Sequence, residues 1–163
     1  MSFVLPTGVR TFFGFDGPKA FAKSRAAKRE VVARFLLFDA YYCCLLLGLH
    51  DGKLGDTSRL ESDSFYSNYP DSYKGQAELI AGLLVDAELR RLKIGPDDRE
   101  DIEQQMVHLL DLSSLTRLSV VGDGLLNQYA VSGFDRLRDG MMPPDNLEDF
   151  LVAYHALWPA ETA

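Results

Sequence analysis

The sequence predicts an all-α protein, a single-domain bundle of about five helices behind an irregular N-terminal arm. Three observations carry this expectation. Residues 35–49, FLLFDAYYCCLLLGL, are apolar almost throughout. Near the other end, Leu147, Phe150, Leu151, Tyr154 and Trp158 fall at offsets 0, 3, 4, 7 and 11, which is one face of a helix. Between them no segment sustains the apolar–polar alternation of a half-buried strand. At 163 residues one domain is the economical reading. The arm takes residues 1–18 and the bundle residues 19–163.

In the arm, Pro6, Gly8, Gly14, Gly17 and Pro18 interrupt Phe12, Phe13 and Phe15. Such punctuation predicts irregular backbone, and the phenylalanines predict that it packs on something. A first helix is expected to begin between Lys19 and Ser24 and to run to about Leu49, where Gly48 and Gly52 break it. Beyond Phe35 it is oily on nearly every side, so it belongs at the centre of the bundle. Lys28, Asp39 and His50, spaced by 11, form its one polar seam.

Residues 51–72 read as a polar loop ending in a tyrosine-rich patch, and its length predicts a short helical turn inside it. Tyr66, Tyr69 and Tyr73, beside Phe65, are candidate partner-contact residues. A second helix is expected over Ser72–Lys93, stopped by Gly95-Pro96. Its apolar stripe is Ala77, Ile80, Ala81 and Leu84, continued by Glu88. A third spans about Pro96–Leu112, with proline and acidic residues suiting its start. The fourth, Ser119–Asp139, is weakened by Gly122, Gly124 and Gly133. The fifth follows Pro144, with Asp145 and Glu148 spaced as a capping box.

The net charge of −7 is unevenly placed. Residues 1–34 hold seven basic side chains against Asp16 and Glu30, a net of +5, which leaves −12 for the remainder. Arg10, Lys19, Lys23, Arg25, Lys28, Arg29 and Arg34 are therefore candidates for contacting phosphates or an acidic partner, with Phe12 and Phe13 as stacking groups. The plainer reading is that the charges are solvated and the aromatics cover the core. On a helical wheel the charges of residues 19–34 surround the axis, so no groove-reading face stands out.

Cys43 and Cys44 are adjacent, about 3.8 Å between Cα atoms, closer than the usual disulfide separation of about 4.4–6.8 Å. They read as small buried hydrophobes in a reducing compartment. Fifteen residues of helix rise only about 22 Å, short of the roughly 30 Å hydrocarbon core, so no membrane span is expected. The start of the chain does not resemble a signal peptide, and a cytoplasmic location is expected.

Asp39 and Glu88 are weak catalytic candidates. Two carboxylates facing each other across a bundle can bind a cation or share a proton. The plainer expectation is that each is held by an ordinary partner, Glu88 by an arginine. The three histidines lack Glu-x-x-His spacing, so no metal and no cofactor are expected. No nucleophile elbow, phosphate loop or zinc-binding histidine pair is present. The expected function is a small non-catalytic helical binding or assembly protein, an accessory subunit of a nucleic-acid-processing complex. It would have a protein partner or associate with itself, and touch nucleic acid through the arm. The alternatives are an enzyme using Asp39 and Glu88 and a homo-oligomeric structural protein.

Overall fold

The computed structural model describes residues 2–17 and 35–160. The chain is mostly helical, with a small two-stranded sheet. Strand β1 (Phe3–Pro6) leads into a single turn of helix, α1 (Val9–Phe12). After α2 (Leu37–Asp51) come a 3-10 turn, strand β2 (Leu60–Tyr66) and a second 3-10 turn. Helices α3 (Ala77–Arg91), α4 (Arg99–Leu109), α5 (Val120–Gly140) and α6 (Leu147–Leu157) complete it.

Helix α2 is the core element its composition demands: within it only His50 is exposed. Asp39 closes its first turn by accepting from the Leu36 N–H at 2.6 Å. Gly52, in left-handed backbone at φ 64°, closes the last with its N–H on the Gly48 carbonyl. The helix start expected at Lys19–Ser24, and Lys28 of the polar seam, lie outside the described residues.

Helix α5 packs along α2 with backbone nearly touching backbone. A Cβ added at Gly48 would stand 1.8 Å from the Tyr129 carbonyl oxygen, and one at Gly133 would stand 1.6 Å from that of Cys44. Tyr41 meets Asn127 at one end of the pair and Asp51 meets Arg136 at the other, so the two helices run in the same direction. Helix α3 also runs with α2: Tyr42 donates to Gln76 near the start, and Arg90 donates to the Leu49 and His50 carbonyls near the end.

The sheet departs from the all-α expectation, and the arm departs from irregularity. β1 is buried over its whole length and pairs antiparallel with β2, Phe3 opposite Tyr66, Val4 opposite Ser64 and Pro6 opposite Leu60. On its other side the Val4 N–H donates to Asn127 Oδ1 at 3.0 Å, while Asn127 Nδ2 donates to the Ser2 carbonyl. A buried asparagine of α5 thus stands in for a third strand. Phe12 and Phe13 are core residues, edge-on to Phe134 and Phe150 respectively. At the start of α6 the cap is Asn146, one residue later than expected, accepting from the Asp149 N–H. No described helix is long and apolar enough to cross a membrane.

Candidate functional site: a groove between the third and fourth helices

The two carboxylates singled out from the sequence have separate surroundings. Asp39 sits in the first turn of α2 and accepts from the Tyr73 hydroxyl as well as from Leu36. Glu88 is 2 % exposed near the end of α3. It accepts from Arg91 Nε and Nη2 at 2.8 and 2.7 Å and from the Tyr129 hydroxyl at 2.6 Å. Burial opposes its charge, yet Arg91 and Tyr129 outweigh that and hold the carboxyl below its ordinary range. Because α2 and α3 run in parallel, Asp39 and Glu88 lie about 15 Å apart along the helix axes. They do not form the facing pair that an acid–base or cation site requires. Among the described residues no group of three or more His, Cys, Asp or Glu side chains is placed to hold a metal ion.

The N-terminal candidates divide. Phe12 and Phe13 are buried, which removes them as stacking groups for bases. Arg10 is engaged with Glu61, its Nε 3.0 Å from Oε1. Lys19, Lys23, Arg25, Lys28, Arg29 and Arg34 lie outside the described residues. The tyrosine patch also turns inward. Tyr69 is 3 % exposed, its ring against Phe3 and Phe38, and Tyr73 is tied to Asp39. Tyr66 alone of the three keeps an exposed face, its ring edge-on to Phe38. Burial pushes the Cys43 thiol up to about 12 and that of Cys44 well above its ordinary value, so neither is a ready nucleophile.

A different surface has the shape of a binding site. Ala81, Gly82 and Val85 of α3 line a groove of about 540 Å³ together with Met106 and Leu110, and Leu112, Arg117 and Glu78 line it too. Its floor is apolar because α3 is amphipathic and shows small residues here. Its far wall, α4, is poorly anchored: Leu109 is the one residue of that helix fully buried. Val107 on α4 is 81 % exposed.

The loop joining α4 to α5 is built stiffly. Leu110 and Leu118 form an antiparallel bridge, and the Asp111 N–H donates to the Arg117 carbonyl. Ser113 donates twice to Asp111 Oδ1, Ser114 Oγ donates to the Leu118 carbonyl, and Thr116 Oγ1 donates to Asp123. Arg117 holds left-handed backbone, φ 66°, and its Nη1 donates to the Leu112 carbonyl at 2.6 Å. The product of these bonds is a fixed turn presenting Leu112, 78 % exposed, and Leu115, 68 % exposed, to solvent. Sequence reasoning missed this surface. Its one signal was a pair of leucines inside the turn-forming stretch DLSSLTRL, where a loop is expected to be polar.

Compared with protein-family models, with curated proteins and with solved structures, the chain matches none.

Proposed function

We propose that this protein is a small non-catalytic binding module that recruits a protein partner by seating one amphipathic helix of that partner in the α3–α4 groove. The observation that carries the reading is the pairing of an apolar groove with two leucines held exposed by a hydrogen-bonded turn. Exposed apolar side chains in a stiff loop bind at little cost in chain entropy, which is what a docking anchor needs. The weak burial of α4 supports the same reading, because a helix with so little packing gains most from a neighbour laid across it. Cys43 and Cys44 are unpaired thiols, which suits a reducing compartment such as the cytoplasm.

The test is a displayed library of helical peptides of about 18 residues, with apolar anchors at i, i+4 and i+7 and all other positions randomised. Sorted against the folded chain, it should yield binders that lose affinity about tenfold or more on Leu112→Asp. Leu112 is exposed, so circular dichroism should find that variant folded. A library that yields no binders, or binders indifferent to Leu112→Asp, sinks the reading.

A further inference from the structure

Helix α3 contributes to two separate hollows. Ala81, Gly82 and Val85 belong to the groove with α4. Leu83, Asp86 and Arg90, spaced along a different face, line a second cavity of about 380 Å³. Leu46, Leu49 and His50 from the end of α2, and Trp158 just after α6, complete it. Its charges are already matched. Arg90 Nε donates to Asp86 at 3.0 Å, and Nη1 and Nη2 donate to the His50 and Leu49 carbonyls at 3.2 and 2.8 Å. The guanidinium is thereby engaged by Asp86 and by the C-terminal end of α2. His50 is exposed and sits edge-on to Trp158, ring centroids 5.1 Å apart. Its Nδ1 stands 3.4 Å from Asp51 Oδ1, and Asp51 is itself held by Arg136. A carboxylate takes a donor, which places the hydrogen on Nδ1 and leaves Nε2 with its lone pair. Among the described residues nothing donates to that nitrogen.

We infer that this cavity binds a small, neutral, planar aromatic molecule with one hydrogen-bond donor, a phenol or an indole, whose O–H or N–H donates to His50 Nε2. The inference is independent of the docking reading, which uses the other face of α3. The volume lies near the lower end of the roughly 300–1,000 Å³ of ligand pockets and admits one small ring system. Leucine, indole and imidazole surfaces favour an aromatic occupant, because rings pack edge to face with one another and flat against aliphatic groups. The matched charges disfavour an ion. An anion would have to draw Arg90 away from Asp86, and a cation would meet a guanidinium pinned in place. What the site leaves unmet is one acceptor, and a site with an unmet acceptor selects a ligand that brings a donor. Fastening α6 onto α2 accounts for the His50–Trp158 contact, but that role asks for no hollow beside it.

The full chain holds a single tryptophan, so in isotope-labelled protein the Trp158 indole N–H gives one side-chain signal, and it belongs to the site. Indole and phenol, titrated at a pH of about 8, above the ordinary imidazole range, should shift that signal saturably. N-methylindole and anisole have similar shapes without the donor and should bind about tenfold more weakly. His50→Phe keeps a flat ring beside Trp158 and should erase that gap. Leu83→Glu sets an unpaired charge on the cavity wall and should abolish binding of all four compounds. Circular dichroism checks that both variants fold, and the comparison of compounds on the unaltered chain needs neither. A gap that survives His50→Phe would overturn the assignment to His50. Equal affinities with and without the donor, or no saturable shift with indole or phenol, would overturn the inference. So would tighter binding of benzylamine or benzoate, which are charged at that pH.

Discussion

Tyr69 places its ring against Phe3 and Phe38 and leaves its hydroxyl buried with no hydrogen-bond partner. Burial, with Asp123 and Tyr42 nearby, pushes its phenol above the ordinary value, so the group stays neutral. A buried unpaired hydroxyl costs roughly 1–3 kcal/mol in desolvation. Tyr69→Phe keeps the ring contacts and should leave stability unchanged or raise it by about 1 kcal/mol, read by chemical denaturation. A clear loss would mean that the hydroxyl holds a trapped water. Glu88 is the contrasting case, since every contact it makes favours its charged form. With its folded pKa depressed, it stabilises the fold above the unfolded carboxyl value of about 4.3, and that contribution fades as pH falls from there through the folded value. Glu88→Gln should therefore destabilise by roughly 2 kcal/mol at pH ~7 and by much less at pH ~3. Equal losses at the two pH values would contradict an ionic role for the Arg91 contact.

At the scale of elements, the α2–α5 crossing is the joint on which the others hang. Gly133→Ala drives a methyl into the Cys44 carbonyl, a backbone atom that cannot swing aside. A loss of about 3 kcal/mol is expected. Gly124→Ala is the matched control in the same helix. Its new methyl meets nothing within 4 Å, and helix propensity should add up to about 1 kcal/mol. Changes of the same sign in the two variants would displace the crossing from these glycines. The helices were legible in the sequence because their apolar residues recur with helical period, and the stripe from Ala77 to Glu88 is the buried face of α3. The sheet was not, since β2 reads LESDSFY and is polar at its centre. Its partner β1 is a short apolar run far away in sequence, and pairing of that kind leaves no local mark. The groove was illegible for a related reason. It exists only where the small side chains of α3 meet the mixed face of α4, and neither helix alone carries its shape. Asp39 and Glu88 each looked out of place in the sequence, but only the parallel run of α2 and α3 revealed the distance between them.

Over the whole molecule, the partners of the central helix come from distant parts of the chain. Gly48 meets Gly133, and Tyr41 meets Asn127, which also bonds the backbone of β1. At a translation rate of about 5–20 residues per second, α2 leaves the ribosome several seconds before α5 can cover it. For that interval the face of α2 that α5 covers, around Cys44 and Gly48, lacks its native partner, and only β1, β2 and α3 are at hand to pack on the rest of the helix. Local helix formation cannot shorten the delay, because the missing contacts belong to α5 itself. The yield on synthesis should therefore depend on how well that one face is sheltered until α5 arrives, as well as on the stability of the finished fold.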